Sequence, residues 1–270
     1  MNKYSTNQKI YFVLRLAIAM CFIGHGAFGI ITKPIWANYF AVFGVGHDMA
    51  FTLMPVVGAI DIALGITMLV YPVRAIALWL VIWGLVTASL RPLSGEPFAE
   101  FIERAGNFGA PLCLLILVGG SNNFKGWFKL ITSDINIGPQ TMPRLITTLR
   151  SVVVLLLAGH GWLNLIHKKA IMGQYLALGF HHVDSVALTI GLLEVFAACT
   201  VLVRPWKSLL LILFIWKAST ELFYPHYEVF EWVERGGSYG CILALLMALE
   251  YKRSITLNFT KRSINQNLIN

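Results

Sequence analysis

Residues 14–26 read LRLAIAMCFIGHG, and residues 149–161 read LRSVVVLLLAGHG. Both stretches open on Leu-Arg, close on Gly-His-Gly and are apolar between. Working outward, the correspondence holds at an offset of 135 through Lys33 and Lys168, Gly44 and Gly179, and His47 and His182. The offset is 133 for Gly58 and Gly191, Asp61 and Glu194, Pro72 and Pro205, Trp83 and Trp216, and Thr87 and Thr220. It is 131 for Glu103-Arg104 and Glu234-Arg235, Gly106 and Gly237, and Gly109 and Gly240. Two short deletions in connecting segments explain the drift. The chain is a tandem duplication.

Of the 270 residues 57% are hydrophobic and 13% charged, against about a quarter charged in an ordinary soluble domain. A mean hydropathy of +0.70 excludes a soluble enzyme, a disordered chain and a nucleic-acid-binding module. The net charge of +8 does not point to nucleic acid, because the lysines and arginines collect at the ends of apolar stretches. Cys21, Cys113, Cys199 and Cys241 stand singly in apolar surroundings, a spacing that fits neither a disulfide framework nor a zinc site. These features describe a polytopic, all-helical membrane protein bathed in lipid.

A helix needs about 20 apolar residues to cross the hydrocarbon core. Spans are expected at 11–31, 51–71, 73–92, 104–120, 146–166, 184–203, 205–224 and 235–251. Tight turns are expected at Tyr71-Pro72 and Arg204-Pro205, where proline ends one helix and suits the start of the next. Fourteen basic residues fall on the side of the termini and six on the other, which puts both termini in the cytoplasm. The first span has a structural mate in the fifth, so it is read as a retained helix rather than a signal peptide. Residues 1–120 form one four-helix repeat and 146–251 the other. Residues 121–145 are a cytoplasmic linker, and 252–270 a basic tail read as disordered. Four spans per copy make the copies parallel, so a pseudo-twofold axis should run along the membrane normal and relate two four-helix bundles.

Within each copy the order is an arginine, a Gly-His-Gly patch, a lysine, a short amphipathic piece, a mid-span acid, a basic turn, and a charged, Gly-rich start to the last span. The first copy shows Glu103-Arg104-Ala105-Gly106-Asn107 at that start. This order resembles the DoxX family of four-helix membrane proteins, one family unit per half, over roughly 11–120 and 146–251. Asp61 stands where the family more often has Glu, and Glu-Arg replaces its usual basic-Asn start. The resemblance implies a bacterial plasma membrane. Relatives include the DoxD-type subunit of a thiosulfate:quinone oxidoreductase, members of membrane thiol and redox complexes, and eukaryotic cargo receptors or receptor chaperones. It transfers no set of catalytic residues.

A carboxylate at mid-bilayer costs about 3 kcal/mol and marks either function or a brace. Asp61 and Glu194 are therefore the first site candidates, with Arg15 and Arg150 as possible ion-pair partners. For His25 and His160, flanked by glycines, three readings stay open: an interhelical hydrogen bond, a proton relay or quinone partner, and paired haem ligands. Haem is disfavoured, since it needs the two rings to face each other. Lys217 and Glu221 share a helix face, while their mates Gly84 and Ala88 carry no charge. That asymmetry points either to a one-pocket function or to an internal ion pair. Glu103-Arg104 and Glu234-Arg235 read as structural ion pairs, and Trp83 and Trp216 as packing residues or part of a binding surface. His47, His181, His182 and His226 are too loosely spaced for a metal site.

The expected function is a membrane redox subunit handling a quinone or small sulfur substrate near the outer leaflet. In this reading His160, Glu194, Glu221 and Lys217 carry proton chemistry, and His25, Asp61, Trp83 and Trp216 line the binding surface. Electrons would come from a cofactor or a redox partner subunit. The alternatives are a non-catalytic binding or chaperone protein and a proton-coupled small-solute transporter.

Overall fold

The computed structural model describes residues 4–135, 137–223 and 228–267. The first half runs through α1 (Thr6–Ile30), α2 (Trp36–Ala41), α3 (His47–Val70), α4 (Arg74–Leu93), α5 (Ala99–Glu103) and α6 (Ala105–Val118), and the linker adds α7 (Phe124–Trp127). The second half follows as α8 (Thr141–Leu165), α9 (Lys169–Ala177), α10 (Val183–Val203), α11 (Lys207–Thr220), a 3-10 turn Glu221–Phe223, α12 (Glu228–Glu234) and α13 (Gly236–Asn267). Among the described residues no strand forms beyond a single bridge between Val73 and Leu130.

Five helices, α1, α3, α4, α8 and α10, are long and apolar enough to cross a membrane, so the chain is a multi-pass protein of the lipid bilayer. The other expected spans fold as shorter helices. α6 and α11 have 14 residues each, about 21 Å of rise against a core of about 30 Å. α6 is cut from α5 at Arg104, and Gly119, at φ 69°, ends it. In α13 the apolar part is Gly236–Tyr251. Beyond it the helix continues to Asn267, correcting the expectation of a disordered tail. Residues 252–267 hold no proline or glycine to stop it. Ser5 begins α1 with a reciprocal cap, its hydroxyl accepting from the Gln8 amide while the Gln8 side chain accepts from the Ser5 amide. The two prolines turn the chain as expected, between Val70 and Arg74 and between Val203 and Lys207.

Packing does not follow the boundary between the halves. α1, α6, α8 and α13 meet in one apolar core, built on Leu14, Ile18, Leu114, Leu149, Val153 and Leu245. α3 leans on α1, α4 on α6, α10 on α8 and α11 on α13. The two tandem halves expected from the repeat thus share one core. The last helix of each half packs on the first helix of the other. Gly24 abuts the Glu234 backbone and Gly159 the Glu103 backbone, so closely that a methyl at either glycine would collide with main-chain atoms. α10 and α11 barely touch each other, which leaves a cleft between them.

The linker is held rather than free. The Ile131 amide donates to the Pro72 carbonyl at 2.9 Å, and the Tyr11 hydroxyl donates to the Ile131 carbonyl at 2.7 Å. α1 and α13 run antiparallel, so the start of α1 and the end of α13 lie on one side; the opposite end is termed distal.

Candidate functional site

The glycines of the Gly-His-Gly patches let the helices that carry the acids approach α1 and α8. A methyl at Gly26 would sit 2.5 Å from the Gly58 carbonyl oxygen, and one at Gly161 would sit 3.0 Å from that of Gly191. This proximity brings each histidine to the acid of its own half. His25 Nδ1 lies 2.7 Å from Asp61 Oδ2, and His160 Nδ1 lies 2.5 Å from Glu194 Oε2. Against a carboxylate that ring nitrogen carries the hydrogen, so Nε2 remains as the proton acceptor. A carboxylate behind an imidazole fixes its tautomer and orientation, the arrangement of an oriented general base.

The halves then diverge. In the first, the Trp83 indole donates to Asp61 Oδ1 at 2.8 Å, and Asp61 is fully buried. In the second, Trp216 makes no such bond. Lys217 Nζ stands 3.4 Å from Glu194 Oε1 and 3.6 Å from Glu221 Oε1 instead. His160, Glu194, Lys217 and Glu221 are therefore one cluster, contributed by α8, α10, α11 and the turn that follows it. Asn164 donates to the His160 carbonyl at 3.0 Å and accepts from the Tyr175 hydroxyl at 2.7 Å, bracing the histidine. A cavity of about 350 Å³ opens on this cluster, lined by His160, Gln174, Tyr175, Trp216, Thr220 and Glu221. The cleft between α10 and α11 forms a second, almost wholly apolar space of about 310 Å³ walled by Leu193, Phe196, Trp206 and Ile212. Glu194 lines this cleft, and Ile190 and Trp216 line both spaces. A lipid-facing groove and a chamber bordered by His160 and Glu221 thus meet at Trp216.

At the distal end the two halves exchange ion pairs. Lys33 bonds Glu231 at 2.6 Å, and the mate lysine, Lys168, bonds Glu100. Arg104 bonds both Glu100 and Glu103, and Arg235 pairs with Glu103 across the halves. Arg91 reaches Glu96 at 3.4 Å, and the Tyr39 hydroxyl donates to Glu96 at 2.5 Å. Burial works to raise the Glu96 carboxyl pKa, but Arg91, the Tyr39 bond and Lys168 outweigh it, so this group sits below the ordinary carboxylate value. Glu103, Arg104 and Arg235 therefore belong to a buried lattice between the halves. Glu234 lies beside it, buried, with no cation within 4 Å among the described residues.

Three expected pairings do not form among the described residues: Arg235 pairs with Glu103 rather than with Glu234, and the other two involve Arg15 and Arg150. Among the described residues Arg15 reaches neither Asp61 nor any other acid: it donates to the Met68 and Leu69 carbonyls at the end of α3, with its guanidinium 5.0 Å from the Tyr11 ring centre. It caps a helix end whose carbonyls lack partners. Arg150 makes no ion pair among the described residues. No group of three His, Cys, Asp or Glu side chains gathers to hold a metal among them, and His226 lies outside them. Sequence reasoning missed Asn164, Tyr175, Glu100 and Glu231. A signal existed for the last two, which share the offset of 131 with Glu103 and Glu234. No protein-family model matches this chain, and neither a curated protein nor a solved structure matches it.

Proposed function

We propose that this protein is an eight-span, tandemly duplicated bacterial plasma-membrane protein, similar to the DoxX family, that binds a quinone-class amphiphile in its second half. In this reading it serves as the membrane subunit of a redox system, with both termini cytoplasmic and the site towards the outer leaflet. Equivalent contacts in the two halves support the duplicated architecture: His25–Asp61 beside His160–Glu194, and Lys33–Glu231 beside Lys168–Glu100.

The observation that carries the ligand class is the junction of groove and chamber at Trp216. A molecule with an apolar tail and a hydrogen-bonding ring fits that junction, tail among Leu193, Phe196 and Ile212, and ring towards His160 and Glu221. Combined volumes of this order suit a drug-sized ligand. A bound quinone would supply the electron-accepting chemistry. His160, oriented by Glu194, would exchange a proton with the ligand, and Lys217 would hold Glu194 and Glu221 charged but neutralised. Asp61 and His25 lack this lysine and contribute a brace.

The test is titration of the protein in lipid nanodiscs with a short-chain ubiquinone, followed by tryptophan fluorescence. Saturable quenching is expected, largely lost in Trp216→Phe and at least tenfold weaker in Glu194→Gln. Quenching that does not saturate, or that is unchanged in both variants, overturns the reading.

A further inference from the structure

The first half encloses a smaller cavity of about 80 Å³ that the proposed quinone site does not use. Its walls are aromatic: Trp36, Tyr39 and Phe40 from α2, with Trp83 from α4. The His25 ring lies over Trp36, centroids 4.6 Å apart. Three charged groups also face it, Arg91, Arg104 and Glu234. Both arginines are already committed, Arg91 to Glu96 and Glu100, and Arg104 to Glu100 and Glu103.

Glu234 is different. It is 4% exposed, comes from the other half of the chain, and has neither a hydrogen bond nor an ion pair from its carboxylate among the described residues. Its mate, Glu103, is held by both Arg104 and Arg235. The same position is thus directly ion-paired on one side of the molecule and, among the described residues, not on the other. Burial works to raise the Glu234 carboxyl pKa, but nearby cationic charge, that of Arg104 first, outweighs it and holds the group below its ordinary value. The Asn107 side chain, 8% exposed, lines the same cavity and likewise has no bonding partner among the described residues.

A buried carboxylate without a hydrogen-bonded partner is costly, and aromatic faces attract cations. A metal ion is a poor fit, because hard cations want six or more oxygen ligands and the cavity offers Glu234 and the Asn107 amide. We propose that this cavity is a second ligand site, for a small organic ammonium ion held between the Glu234 carboxylate and the faces of Trp36 and Trp83. The site needs both halves of the chain, since the cage comes from the first and the carboxylate from the second.

Isothermal calorimetry on the intact protein in nanodiscs tests this with tetramethylammonium as the probe and tert-butanol as its neutral shape match, both at constant ionic strength. The expected result is saturable binding of tetramethylammonium and none of tert-butanol. Affinity should fall at least tenfold in Glu234→Gln and in Trp36→Leu, the latter covering the case in which the former does not fold. No saturable binding to the wild-type protein overturns the proposal. So does equal binding of the two probes, or equal affinity in wild type and whichever of the variants is folded.

Discussion

Lys217 is 3% exposed, and its ammonium is tolerated there because Glu194 and Glu221 flank it. Removing one member of such a group leaves the others buried and under-compensated, at a cost of about 3–5 kcal/mol. Lys217→Met should therefore destabilise the protein by about that much, and adding Glu221→Gln should recover part of the loss. Unfolding of the detergent-solubilised variants would show it, and equal stability of single and double variants would mean that the two residues are not coupled. Glu96 permits a pH prediction. Its carboxyl is held below the ordinary value in the folded protein, so its contribution to stability is complete above the unfolded carboxylate pKa near 4.3. That contribution disappears as pH falls through the lower folded value. In Glu96→Gln the acid limb of the stability curve should be shallower below about pH 4.3, measured as thermal midpoint against pH.

Between helices, small residues decide who can be neighbours. A methyl at Gly58 would overlap the Gly26 carbonyl, and the adjacent atoms are also main chain, leaving nothing flexible to move. Gly58→Ala should cost about 1–3 kcal/mol, the range of overpacked sites, and should lengthen the His25–Asp61 contact. Gly191→Ala should cost less, because the nearest approach is 2.9 Å and the next atoms belong to the Leu165 side chain. Thermal unfolding of the two variants ranks them. This level was only partly legible beforehand. The duplicated Gly-His-Gly patches and mid-span acids marked residues that meet in space, and Tyr71-Pro72 and Arg204-Pro205 marked real turns. Hydropathy says which residues prefer lipid, but not which helix lies beside which. So Arg15, raised as a partner for Asp61, instead sits at the far end of α3, and the interhelical hydrogen bond that was one reading of His25 is made to Asp61, a partner hydropathy does not name. Nor does composition measure helix length: α6 stops at 14 residues because Arg104 and Gly119 bound it.

For the molecule as a whole, the excess of basic residues near the termini predicts a cytoplasmic location for both ends. Reporters fused at Lys125 and Gln266 should both read as cytoplasmic, and an external signal from either would refute the eight-span topology. The exchanged pairing of the halves also bears on how the chain is made. Glu100 meets Lys168 after 68 further residues, whereas Lys33 must wait 198 for Glu231. At about 5–20 residues per second, ribosomes would leave α1 in the bilayer for about 10–40 seconds before its partner surface on α12 and α13 exists. During translation the second crossing closes first, and the first helix made is among the last to be locked. A ribosome that stalls before α12 would release a chain whose earliest segment is inserted but unclasped, with Lys33 and the Gly24 face open to membrane proteases.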